Sequence, residues 1–166
     1  MSIPGLPEIE QWAAARGLLL RLQVRQFLLV TTLRVVVARP RDGQPPVLLG
    51  ELKGWALPVP DGLQLDTMRV QGAETQGVGD LIWAATMAWA LEASPCHSAR
   101  LLAIRDQEQQ HRRLVRYFQR LGFEPTREVG AAAVDLPLRL VWGGAGLLMR
   151  GDCKAVLERV CKRLRG

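Results

Sequence analysis

Three groups of residues in this chain carry types and spacings that could do chemistry. The first is Gln76-Gly77-Val78-Gly79-Asp80, two glycines one residue apart between a β-like run and a long apolar run. Such a junction is either a plain turn or a cradle for a phosphorylated ligand. The first amides of a helix lack backbone partners, and with the helix dipole they favour an anion. Glycine lets that backbone approach a ligand without a Cβ in the way. The second group is Asp66 in "LQLDTMRV", where strand alternation puts Gln64, Asp66 and Met68 on one face. A carboxylate there could take a proton from an attacking amine, or be a surface ion-pair member. Glu51 is a weaker alternative. The third is "HRRLVRYFQRLGF", with Arg112, Arg113, Arg116, Arg120 and the adjacent Tyr117 and Phe118.

Two common phosphate-binding motifs fail on a required residue. Gly72 and Gly77 have P-loop spacing, but Val78 stands where lysine is needed. Gly77 and Gly79 open a dinucleotide fingerprint, but Ile82 replaces its third glycine. The arginines of residues 112–120 could meet nucleic-acid phosphates, with aromatics on bases. A solvated face opposite the stripe of Leu114, Val115, Phe118 and Leu121 is the preferred reading, so a nucleic-acid partner is not expected. His97 and His111 are the only histidines, and His111, at an Arg-rich helix start, is read as a polar surface residue rather than a base. Cys96, Cys153 and Cys161 are odd in number and lack a C-x-x-C, which argues against a disulfide framework or a zinc site. No metal is expected.

The 166 residues suit one domain, 1–166, and 48% hydrophobic content excludes a disordered chain. A net charge of +6 suits an acidic or phosphorylated partner. "LLLRLQVRQFLLVTTLRVVVA" is the most apolar stretch, but Arg21, Arg25 and Arg34 argue against a membrane span. With no secretory pattern at the start, a soluble, cytoplasmic protein is expected.

The elements that must position these residues follow from local pattern. A helix is expected over residues 7–16, ending at Gly17, and then one bent strand or two over 18–24 and 27–38. Strands over 47–58 and 63–71 are separated by turns at Asp42-Gly43 and "VPDG". Residues 80–92 form a helix that is apolar nearly all round and hence buried. A strand over 99–106, a helix over 107–121 ended by Gly122, and a hairpin from "LPLRLVW" and "LLMRG" follow. An amphipathic helix capped by Asp152 closes the chain. The class is mixed α/β (α+β): a mostly antiparallel sheet flanked by helices.

This order of elements, with "LQLDTMRVQGAETQGVGDLIWAATMAWALE" followed by "RRLVRYFQRLGFE", resembles the GCN5-related N-acetyltransferase (GNAT) superfamily. The likeness covers residues 50–150, with 1–49 a shortened N-terminal part and 151–166 the closing helix. The family's motif [Q/R]-x-x-G-x-[G/A] falls on residues 74–79, and its Tyr-x-x-x-Gly-Phe on 118–123. The resemblance implies acetyl-CoA or another acyl-CoA as cosubstrate. Gln76, Gly77, Val78, Gly79 and Asp80 would hold its pyrophosphate. The strand backbone at Met68, Arg69 and Val70 would pair with the pantetheine arm, and Phe118 would stand at the position of the family's acid. It implies acyl transfer to an amine, a small molecule or a protein, with Asp66 as base. Residues 63–71 and 99–106 should be parallel and splayed. The pattern departs at Glu74, which replaces Gln or Arg, at Phe118, which replaces tyrosine, and in the short front. These departures keep open a non-catalytic module that binds a protein partner or aids assembly.

Overall fold

Two antiparallel hairpins joined edge to edge build the first half of the sheet. The computed structural model describes residues 3–72, 75–105, 107–130 and 145–166. Helix α1 (Leu6–Ala15) leads into β1 (Leu19–Phe27), β2 (Val30–Arg41), β3 (Gln44–Ala56) and β4 (Leu63–Val70), each antiparallel to the next. The expected break near residue 25 lies instead at Leu28-Leu29, a two-residue turn between the paired Phe27 and Val30. Helix α2 (Val78–Ala93) crosses over to β5 (Ser98–Ile104), which runs parallel to β4, as expected. Helix α3 (Glu108–Leu121), β6 (Glu124–Val129), β7 (Gly146–Asp152) and α4 (Cys153–Arg165) complete the described chain. The seven strands lie in the order β1-β2-β3-β4-β5-β7-β6.

Strand β6 was not expected. Its sequence, "EPTREV", is exposed except at Val129, so no alternation betrays it. Strand β7 lies between β5 and β6, antiparallel to both. The hairpin partner expected at residues 136–142 falls outside the described residues.

Helix α2 is the centre of the core. Its residues from Leu81 to Ala90 are all buried, as an all-round apolar sequence requires. Gly50 makes this possible: a Cβ there would stand 2.7 Å from Ile82 Cδ1 and 2.8 Å from Val78 Cγ1. Helix α4 packs along α2 through Val156, Leu157, Val160, Cys161 and Leu164. Asp152 caps it, accepting a hydrogen bond from the Ala155 amide at 2.9 Å. Gly122 ends α3 with φ of +112°, a conformation suited to glycine. No described helix is long and apolar enough to cross a membrane.

Candidate functional site

The site begins where two parallel strands part. β4 and β5 pair at Leu63–Ala99, Gln64–Arg100 and Leu65–Leu101. On β4 the next residue is Asp66, skipped in the register with β3, where Gly54 faces Leu65 and Lys53 faces Thr67. This is a β-bulge, which bends a strand and raises its twist. Beyond it β4 continues to Val70 bonded to β3, while β5 continues to Ile104 bonded to β7. Among the described residues, the β5-facing backbone edge of residues 66–70 has no strand partner. A slot opens there between the strands.

The bulge also redistributes side chains. Gln64 pairs with Trp55 and Met68 with Leu52, residues on opposite faces of β3. Gln64 and Met68 therefore do not share the face that simple alternation gave them. Met68 lies on the α2 side, its Cε 3.6 Å from where a Cβ on Gly79 would stand. Val70, opposite Gly50, is on that side too, whereas Arg69 lies opposite Glu51. Asp66 lines a cavity of about 470 Å³ with Arg25, Arg34, Lys53 and Trp55. Its side chain is exposed and makes no hydrogen bond or ion pair among the described residues. Glu51 differs: Arg34 Nε donates to it at 2.9 Å and Lys53 Nζ lies 3.5 Å away. The Arg34 hydrogen bond holds its carboxyl below the ordinary glutamate range, so it is a poor base.

At one end of the slot stands the glycine turn. Gly77 has φ of +81° as the N-cap of α2, a backbone state costly for residues with a Cβ. The Val78 amide donates to Thr75 O at 3.1 Å and Leu81 to Gly77 O at 3.0 Å. Gly79 and Asp80, in the first turn, have no carbonyl one turn back within the helix. Beside them is a cavity of about 580 Å³ lined by Gln76, Gly77, Asp80, Arg16, Arg39 and Arg163 among others. Arg16 is held by Trp12 O at 3.2 Å and Leu164 O at 2.9 Å. Arg163 grips Asp80 with Nη2 at 2.7 Å and Nε at 3.2 Å. That hydrogen bond pushes the guanidinium pKa up further. A carboxylate at Asp80 would repel a phosphate at this turn, and its own cation would partly offset that repulsion. Glu74, where the motif has Gln or Arg, lies outside the described residues.

Arg16, Arg39 and Arg163 come from the end of α1, from β2 and from α4. No local pattern announces them, because only the packing of α1 and α4 against α2 brings them together. In the sequence Arg163 counts only as a helix-terminal cation.

The third group divides into two environments. Phe118 is buried, its ring edge-on to Trp83 at 6.3 Å and to Phe123 at 6.2 Å. It belongs to the aromatic core. Tyr117 is partly exposed, accepts a hydrogen bond from Trp83 Nε1 at 2.9 Å, and has its hydroxyl 3.6 Å from a Cβ built on Gly79. Burial raises its pKa above the usual phenol value. His111, expected on the surface, is buried. Its Nδ1 lies 3.2 Å from the Ile104 carbonyl and must donate to it, so Nε2 accepts from Arg105 Nη2 at 3.2 Å. It braces α3 against β5. All three cysteines are buried and free, and no metal-binding cluster occurs among the described residues.

No protein-family model and no curated protein matches this chain. Solved structures do. It is similar to an uncharacterized Bacillus halodurans protein at TM-score 0.51 and 14% identity, over 80% of this chain and 65% of that one. This chain therefore spans slightly less than two thirds of that protein's length. A spermidine N-acetyltransferase SpeG chimera from Vibrio cholerae and hSSAT matches at TM-score 0.49 and 12% identity, over 76% and 70% of the two chains. Arabidopsis thaliana NAA60 in complex with a bisubstrate analogue matches at 0.49 and 11%, over 73% and 76%. Identities this low concern fold alone. The mixed sheet, with its parallel β4–β5 step crossed by α2 and parted at a bulge, has the layout that the resemblance implied.

Proposed function

We propose that this chain binds acetyl-CoA or another acyl-CoA and transfers the acyl group to an amine. The observation that carries the reading is the parting of β4 from β5 at Asp66. It leaves a polar backbone edge running toward an arginine-lined helix N-terminus. An extended amide-bearing arm ending in a pyrophosphate has that same order of groups. Residues 66–70 would pair with the arm as a missing strand would. The amides of Gly79 and Asp80, with Arg16, Arg39 and Arg163, would hold the phosphates. Gln76, Gly77 and Val78 shape that turn, and Met68 and Val70 floor the slot.

Bound acyl-CoA supplies a thioester carbonyl open to attack by an amine. Asp66 stands where the slot meets the cavity on the opposite face of the sheet, which would admit the acceptor. There it would take the proton from the amine as the C–N bond forms and the C–S bond breaks. Phe118 has no proton to give, so solvent water would protonate the departing thiolate.

Thiol release from acetyl-CoA across a panel of amines, small and peptidic, tests the reading. Asp66→Asn should lower kcat about 10²-fold or more while leaving acetyl-CoA affinity unchanged. An unchanged kcat removes Asp66 from the reaction. A second reading has a specific observation behind it: Phe118 is part of the aromatic core, with no proton donor in its place. A module that binds acyl-CoA without turnover, docking a protein partner, would bind acetyl-CoA yet release no thiol with any amine.

A further inference from the structure

The β1–β2 hairpin ends in three consecutive exposed apolar residues: Phe27, Leu28 and Leu29 are 77%, 80% and 70% exposed. Leu28 also has φ of +56°, the only positive value at a described residue other than glycine. Two-residue hairpin turns with a positive first φ usually carry glycine, asparagine or aspartate there, and a bulky side chain in that state is a genuine outlier. The chain thus holds leucine where both solvent and backbone disfavour it, a conflict that points to use elsewhere. Val59, 47% exposed, extends the apolar end. It follows β3, whose Ala56 pairs with Thr31 beside the tip.

Behind the tip the charge is net positive. Residues 21–36, the part of the hairpin nearer the tip, contain Arg21, Arg25 and Arg34 and no aspartate or glutamate. Arg34 is paired with Glu51 and Asp66 shares a cavity with Arg25, but with Lys53 the arm stays net cationic. Arg25 sits two residues before Phe27, about 7 Å along the strand. Trp55, opposite Thr32, lies at a similar depth.

We infer that this hairpin is a docking arm that inserts its tip into an anionic lipid bilayer. Apolar at the point, aromatic and cationic behind, it follows the order met on entering a leaflet from its interior outward: acyl chains, interface, anionic headgroups. Three successive side chains around a two-residue turn point in diverging directions. A fluid apolar layer covers all of them, whereas a protein groove covers one side. A second copy is disfavoured, since two cationic arms repel. The inference stands on the hairpin alone and does not depend on acyl transfer.

Flotation of the full chain with phosphatidylcholine vesicles, with and without phosphatidylglycerol, tests it. Binding is expected with phosphatidylglycerol only, weakening as salt rises. The combined change Phe27→Ser, Leu28→Gly and Leu29→Ser should lower the partition coefficient at least about tenfold. Glycine suits the positive φ, so the melting temperature should hold or rise, and acetyl-CoA affinity should not move. Arg25→Gln should weaken binding about fivefold. Absence of binding to phosphatidylglycerol vesicles overturns the proposal. So does equal binding by the triple variant, or sedimentation equilibrium showing a dimer that the triple variant dissociates.

Discussion

Replacing Asp80 with asparagine should tighten CoA binding while loosening the empty protein. Asp80 occupies the first turn of α2, where a carboxylate favours the helix dipole by about 0.3–1 kcal/mol. It also pairs with Arg163 at 2.7 Å, with side chains 23% and 44% exposed. A pair so exposed is worth about 0–1 kcal/mol. Asparagine forfeits both contributions, so the apo melting temperature should fall. A phosphate on the Gly79 and Asp80 amides would lie roughly 6 Å from that carboxylate. With an effective dielectric constant of about 40, repulsion there is about 1.4 kcal/mol per charge. Removing it, and freeing Arg163 to turn toward the ligand, should tighten CoA about five- to tenfold. Titration calorimetry reads the affinity, and the gain should shrink as salt rises. Arg163→Ala should act in the opposite direction, weakening CoA several-fold. Asp80→Asn binding CoA no better than wild type would refute a phosphate at this turn.

Gly77→Val should abolish CoA binding and lower stability by about 1–2 kcal/mol, since valine must adopt φ of +81°; thermal melts with and without CoA check both. Phe118→Tyr places a hydroxyl inside the aromatic cluster without a partner in view, so it should cost about 1–3 kcal/mol. An increased acyl-transfer rate in that variant would contradict this packing. Glu51 has a folded pKa depressed below the ordinary 4.5, chiefly by Arg34. Its contribution to stability is therefore complete above pH about 4.5 and lost as pH falls through the depressed value. Glu51→Gln should flatten the acid limb of a stability–pH profile and lower stability at neutral pH, measured by urea titration.

Much of the fold was legible because local chemistry agreed with it. The all-apolar run after Gly79 could only be a buried helix, and such a crossover between two strands requires them to be parallel. Asp152 and Gly122 marked helix ends through capping needs that hold whatever the tertiary context. The candidate site was legible in part. Gly77 betrayed the turn, but Arg16, Arg39 and Arg163 lie far apart in sequence and meet only through packing. The bulge at Asp66 left no mark in "LQLDTMRV", since every residue there fits an unbroken strand. It reversed the expected face of Met68 relative to Gln64. Likewise, helical spacing placed Phe118 on the apolar stripe. It could not say that Tyr117, one residue earlier, would bring its hydroxyl to Gly79. His111 read as a surface residue because its two partners, Ile104 O and Arg105, are supplied by the end of β5 and the loop after it.

The most direct test of the central claim is amide hydrogen exchange with and without acetyl-CoA. If residues 66–70 stand in as the edge that a pantetheine arm completes, acetyl-CoA should slow exchange in that segment of β4 and at Gly79 and Asp80. The outer edge strand β1 should be unaffected. Exchange that acetyl-CoA leaves unchanged in both segments, or slows only elsewhere, would contradict the account.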